Sequence, residues 1–203
     1  MREAGRIVGL TLRLMGTLVE PGIRTETLDK EAEKLIRKHK AIPTFKGYGG
    51  FPASICVSVN EEVVHGIPGN RRLKEGDIVS IDCGATLNGY IGDAAMTFAV
   101  GRVDPELVTL METTKAGLEA GIDKARIGNR LGDVSAAVEA RANERGLGVV
   151  RDYCGHGVGT ELHEAPQVPN YGKPNTGPQI LKGWGIAIEP MFNQGTARVR
   201  VLN

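Results

Sequence analysis

Residues Val79 to Phe98 read VSIDCGATLNGYIGDAAMTF, two runs of alternating apolar and small residues joined at Asn88-Gly89. Asn-Gly between such runs is a strong signal for a two-residue hairpin turn, because both central residues must take positive φ. A two-residue turn sets Gly84 opposite Asp93 and Asp82 opposite Ala95. The two aspartates then lie diagonally on one face, about 7–8 Å apart at the backbone. Aspartate is a poor strand residue, and a buried carboxylate needs a partner or a metal to offset its desolvation. Two on one face repel each other unless a cation sits between them. The alternative is that one aspartate caps the turn and the other is solvated.

Composition sets the bounds. The 203 residues suffice for one large domain or two packed halves. Hydrophobic residues make up 41% and charged residues 24%, ordinary values for a globular chain. With 25 basic and 24 acidic residues the net charge is +1, so there is no electrostatic case for nucleic acid or an anionic membrane. Cys56, Cys83 and Cys154 form no Cys-x-x-Cys and fit a reducing cytoplasm better than a disulfide framework. No run approaches the roughly 20 apolar residues that span a bilayer. Nothing suggests oligomer formation, and a monomer is expected.

Before the hairpin, Ile7, Leu10, Leu14 and Leu18 recur at helical spacing, and Pro21-Gly22 ends that helix. Thr25 is placed to cap a second helix running to about His39. FKGYGGFPAS from Phe45 reads as a loop, and Ile55, Val57 and Val59 as a strand. After Gly101 the cycle restarts, with helices over 105 to about 121 and from about Leu131 to Arg145. Strand-like pieces follow around Val149–Cys154 and Gly185–Glu189.

The second half repeats the first. GDIVSID at 76–82 matches GWGIAIE at 183–189, each a glycine turn, a short apolar strand and a carboxylate. His65-Gly66-Ile67-Pro68 matches His163-Glu164-Ala165-Pro166, and each histidine lies nine residues after a cysteine, Cys56 or Cys154. Pro21-Gly22-Ile23-Arg24 echoes Ile127-Gly128-Asn129-Arg130. Four pairs in one order imply duplicated halves, about 1–101 and 102–203, within a single α+β domain. Each half is expected to be two helices followed by antiparallel strands, its carboxylate at an equivalent place.

His156 lies among glycines in CGHGVG, which permits close approach to whatever the ring binds. It joins Asp82, Asp93 and Glu189, at or near predicted strands. One nitrogen and three carboxylates form a hard donor set, suited to Mn, Fe(II), Co or Zn and unlike a thiolate zinc site. Bridging carboxylates explain how two aspartates share a face. His65 and His163 stand beside glycine or proline; the plain alternative is a buried histidine bonded to a backbone carbonyl. His39, among Arg37, Lys38 and Lys40, reads as a solvated helix end.

Taken together, NEEVVHGIP, DIVSIDCGATLNGYIGDAAMTF, RDYCGHGVG, LHEAPQVPNYG and IAIEPM resemble type I methionine aminopeptidases over essentially the whole chain. The resemblance implies the α+β pita-bread fold and a metal-dependent hydrolase that removes initiator methionine from nascent proteins when the second residue is small. It implies two divalent ions, with Asp82 chelating one, Asp93 bridging both, and His156 and Glu189 binding the other. A metal-bound hydroxide is expected to attack the first peptide carbonyl, Glu189 to handle its proton, His163 to bond the carbonyl oxygen and His65 to contact the scissile amide. Tyr48, Phe51 and Cys56 match positions lining the methionine pocket. A cytoplasmic enzyme acting on emerging chains is expected to meet the ribosome. Within the same fold, proline-directed peptidases and metal-free peptide-binding modules are the alternatives.

Relative to the family pattern the chain reads as shortened at both ends. Strands beyond Asn203, and with them a further glutamate bridging both metals, are expected to be missing. One ion is then expected to be held weakly or lost. Leu162 stands where an aromatic is usual, Ala165 where a glutamate is usual and Trp184 where methionine is common.

Overall fold

The computed structural model describes residues 1–201. The expectation about how the chain continues at Asn203 lies outside them. Two compact units emerge, Met1–Pro105 with Gly159–Leu162, and Glu106–Val158 with the chain from His163 on.

In the first unit, helix α1 (Arg2–Leu18) buries Ile7, Val8, Leu12 and Met15, a stripe of helical period. Helix α2 (Thr25–Lys38) buries Leu28, Ala32 and Ile36. Strands β1 (Ile42–Pro43), β2 (Ile55–Val59), β3 (Ile78–Leu87) and β4 (Tyr90–Ala99) form one antiparallel sheet in which β3 pairs with all three others. The hairpin register is the expected one: Gly84 faces Asp93 and Asp82 faces Ala95, with Asn88 at φ 52° and Gly89 at φ 79°. Both helices and β2 and β3 feed one large apolar cluster, including Met15, Leu28, Ile55, Val79 and Ile81. Gly92 lets α1 lie close on β4, since a Cβ there would fall 2.6 Å from the Ala4 carbonyl carbon.

Thr25 does not cap α2. Arg24 holds the cap position without a side-chain bond, and Thr25 is the first helical residue. The Thr25 hydroxyl instead accepts from Gly69 N at 2.8 Å and donates to Gly69 O at 3.1 Å. Tertiary partners outcompete the local cap because they satisfy two backbone groups of a segment that has no ladder of its own.

In the second unit, helices α3 (Pro105–Lys124, its first residue in the other unit) and α4 (Leu131–Asn143) precede short strands β5 (Gly148–Val149), β6 (Gly155–Gly157), β7 (Glu164–Val168) and β8 (Phe192–Asn193). These make two two-stranded sheets, β5 with β8 and β6 with β7. Gly117 and Gly121 are the buried residues of α3, meeting the ring of Phe192 and the side chain of Val138. The apolar core is two small clusters, one around Leu131, Val134, Val168 and Ile180, the other around Val138, Ala142, Val149 and Phe192. Gly185–Glu189, expected as a strand, forms no ladder strand of its own. It pairs locally with β6 through Val158 N to Gly185 O (3.0 Å) and the mutual bonds of His156 and Ala187 (3.2 and 2.7 Å).

Matched sequence pieces adopt matched local geometry inside their own units. Gly22 and Gly128 take φ 95° and 97°, and Gly76 and Gly183 take 91° and 94°. Thr25 N bonds Arg71 O and Leu131 N bonds Pro178 O, each at 3.0 Å, as α2 and α4 begin.

Candidate metal centre and active site

In the first unit, the sheet register puts Cys56 directly opposite Asp82, with Ala95 opposite Asp82 on the other side and Asp93 one diagonal step away. Cys56, Asp82 and Asp93 therefore share one sheet face. Both aspartates are half-buried and Cys56 is buried. Burial first, then the negative charges of Asp82 and Asp93, pushes the Cys56 thiol far above its ordinary range, so it is a neutral, inert wall. Cys83, on the opposite face, is likewise pushed up by burial and packs in the core. Asp29 of α2 fixes the start of β2 by accepting from Ser54 N (2.8 Å) and Ile55 N (3.1 Å). Tyr48 sits exposed in a short 3-10 turn and Phe51 follows it, half-buried.

His65 is exposed and takes φ 60°, unusual for a residue with a side chain. Its neighbour Gly66 explains the conformation. Gly66 accepts from Val57 N (2.8 Å) and donates to the Ser58 hydroxyl (3.1 Å), and a Cβ on Gly66 would strike the Val57 carbonyl.

In the second unit, His156 is buried at the centre of β6, between Gly155 and Gly157. A side chain at either glycine would collide with backbone, Gly155 with the Ala187 carbonyl and Gly157 with the Ala165 carbonyl. His156 Nδ1 lies 2.9 Å from the Gly157 carbonyl. A carbonyl only accepts, so Nδ1 carries the proton and Nε2 is the acceptor of the neutral ring. Nε2 stands 3.1 Å from Glu189 Oε1. That oxygen is buried and receives no aligned hydrogen bond from the described residues.

Two lone-pair atoms facing each other at this distance repel unless a cation lies between them. A second proton on the ring would turn the contact into an ion pair, yet Oε1 receives no aligned N–H. The donor chemistry therefore fits a divalent ion held by an imidazole nitrogen and carboxylate oxygens. The Gly157 carbonyl serves as the outer partner that such a histidine ligand usually has. His163 is exposed, just before β7, with its ring edge-on to that of His156 and the centroids 4.3 Å apart. Cys154 is half-buried, and burial raises its thiol above the ordinary value.

The model of metallopeptidase family M24 matches residues 1–201. The chain belongs to this family. Its α+β pita-bread fold is that of metallopeptidase family M24. Within the family the chain is similar to methionine aminopeptidases. The "Methionine aminopeptidase" of Clostridium acetobutylicum is 55% identical over 201 residues, covering 98% of this chain and 80% of the relative. "Methionine aminopeptidase 1" of Bacillus subtilis is 53% identical, covering 100% of this chain and 82% of the relative. The crystal structure of the Thermotoga maritima methionine aminopeptidase superposes with a TM-score of 0.98 at 46% identity, covering 100% of this chain and 82% of that one. Among the described residues, no helix is long and apolar enough to cross a membrane.

Proposed function

We propose that the chain acts, as one catalytic domain, as a metal-dependent aminopeptidase releasing the N-terminal methionine of new polypeptides whose second residue is small. The observation that carries this reading is the His156–Glu189 contact, a ring nitrogen of the buried histidine 3.1 Å from a buried oxygen of the half-buried glutamate, in a chain of metallopeptidase family M24. Asp93, His156 and Glu189 each offer one ligand atom of the hard type, and Asp82 shares the sheet face of Asp93. These four residues are the proposed ligands of divalent ions such as Co, Mn, Fe(II) or Zn. When bound, such ions acidify water and polarise a carbonyl.

The protein's own groups do the rest. Glu189 takes up the proton released as water attacks and passes it to the amine that leaves as the C–N bond breaks. His163, exposed beside His156, donates to the substrate carbonyl oxygen as charge develops there. His65, held in its left-handed conformation, contacts the scissile amide. Cys56, kept neutral by burial and the neighbouring aspartates, lines the methionine pocket with Tyr48 and Phe51, where soft and aromatic groups suit a thioether. The site of action is the cytoplasm, at peptides leaving the ribosome, with the protein as a monomer.

The test is methionine release from Met-Ala-Ser, with Met-Leu-Ser as the bulky control, titrated with Mn, Co and Fe(II) and reversed by a chelator. Release that depends on metal, prefers Ala and disappears in His156→Ala is the expected result. A folded chain that binds metal and peptide but releases nothing would instead be a peptide-binding module on the same fold.

A further inference from the structure

Resting on that reading, we infer that Asn170 is a positioning residue for the proposed ligand Glu189: its side-chain amide takes the place of a strand partner and holds the Glu189 main chain where the carboxylate faces His156. The stretch from Gly185 to Met191 has its main chain fixed at alternate residues by three different partners. Strand β6 and Val158 just after it take Ala187 and Gly185, and Val150 N takes Met191 O at 3.0 Å. Between them, the Glu189 carbonyl accepts from Asn170 Nδ2 at 2.6 Å. A β-ladder would supply a backbone N–H at that point; here a side chain supplies it.

Asn170 is suited to hold a fixed point. It is fully buried, at 0% exposure. The segment around it is tied on both sides. Val168 is buried in β7, Tyr171 lies beneath the Arg151 guanidinium at 4.8 Å, and Gly172 N donates to Glu139 Oε2 of α4 at 3.1 Å. Arg151 in turn approaches Glu139 at 3.7 Å. The cost of this arrangement marks its purpose. Among the described residues no group donates to the buried Asn170 Oδ1, a loss that a residue chosen for stability alone would avoid. An apolar residue of the same shape removes that orphan acceptor, whereas only the amide can donate to Glu189.

The experiment compares wild type with Asn170→Leu and Asn170→Asp, both with the branching and side-chain heavy-atom count of asparagine. Each is measured without metal by thermal unfolding, then titrated with Co(II) while the d–d absorption spectrum is recorded. Leucine removes donor and orphan together; aspartate also sets an acceptor against the Glu189 carbonyl. We expect Asn170→Leu to unfold within a few degrees of wild type, yet to bind Co(II) about tenfold more weakly with an altered spectrum. Asn170→Asp should weaken binding further. A folded variant with unchanged affinity and spectrum overturns the inference, as does failure of both variants to fold, which would make Asn170 a determinant of the fold. If wild type itself binds no Co(II), the metal-site reading fails; if wild type binds and the variants bind equally, only the positioning role fails.

Discussion

The two units carry their proposed ligand carboxylates on unequal supports. Asp82 and Asp93 stand on β3 and β4, a ten-pair ladder backed by one large apolar cluster. Glu189 stands on a chain whose main-chain bonds come singly, from β6, Asn170 and Val150. His156 is held by the fit of Gly155 and Gly157 against neighbouring carbonyls. Redundant support tolerates the loss of any one contact; single supports do not. Ligand geometry in the second unit should therefore be easier to break than in the first.

The contrast is tested most directly at glycines that touch backbone. A Cβ at Gly84 would meet the Phe45 ring at 2.6 Å, and a ring can turn aside. A Cβ at Gly155 would meet the Ala187 carbonyl, which cannot move without displacing His156. Gly155→Ala should cost about 3 kcal/mol and Gly84→Ala about 1 kcal/mol, read as urea midpoints. Equal costs would erase the contrast between the units.

Core truncation, at fixed chemistry, should give the larger cost, and in the opposite order of units. Leu28, at 0% exposure within the large cluster, and Leu131, at 3% within the small one, are both buried leucines. Leu28→Ala should cost about 4 kcal/mol and Leu131→Ala about 2 kcal/mol, because the smaller cluster can collapse into the vacated space. Calorimetric unfolding of the two variants decides it. Smaller still, Gly89→Ala places a side chain at φ 79° and should cost about 1 kcal/mol. Metal affinity should not change, since ten residue pairs hold the hairpin register. A tenfold loss of affinity there would show that the ladder is less redundant than it looks.

The smallest effects are those of pH. Lys46 and Arg37, both hydrogen-bonded to Glu33, hold its carboxyl down at about 2, below its ordinary 4.5. A depressed carboxylate stabilises above its unfolded value and loses that contribution as pH falls from about 4.5 towards about 2. Glu33→Gln should thus remove less than about 1 kcal/mol at neutral pH, given the exposure of its partners, and nothing in strong acid. In the second unit Asp133 is lowered chiefly by the backbone N–H groups of Arg130 and Asn175, each at 2.7 Å. Asp133→Asn should show the same sign of pH dependence, by thermal melts between neutral and acid pH.

The hairpin was fully legible in the sequence because Asn-Gly fixes the turn, and the turn fixes every pair along the strands. Helix positions were legible from apolar spacing, to within a few residues at the ends. The exceptions share a cause. Thr25 has the composition of a cap, but its hydroxyl is claimed by Gly69, which lies 44 residues away. Gly185–Glu189 has the composition of a strand, but its partners are partly side chains, and no residue pattern announces those. Asn170, in a loop rich in proline and glycine, reads as a turn residue; only its burial and its bond to Glu189 single it out.

The segment from Asn60 to Asp77 contains neither helix nor long strand, yet it is tied down almost throughout. Glu62 bonds Val59 N and Arg71, Gly66 bonds β2, Gly69 bonds Thr25 and Glu26, and Leu73 exchanges bonds with Gly22 and Ile23. Hydrogen exchange at Gly66, Gly69 and Leu73 should therefore be slow, as in the sheet, and a protease that threads extended chain will find little to grip. His65 rides on this strap as a fixed fitting, so in the proposed reaction a substrate meets it already in place.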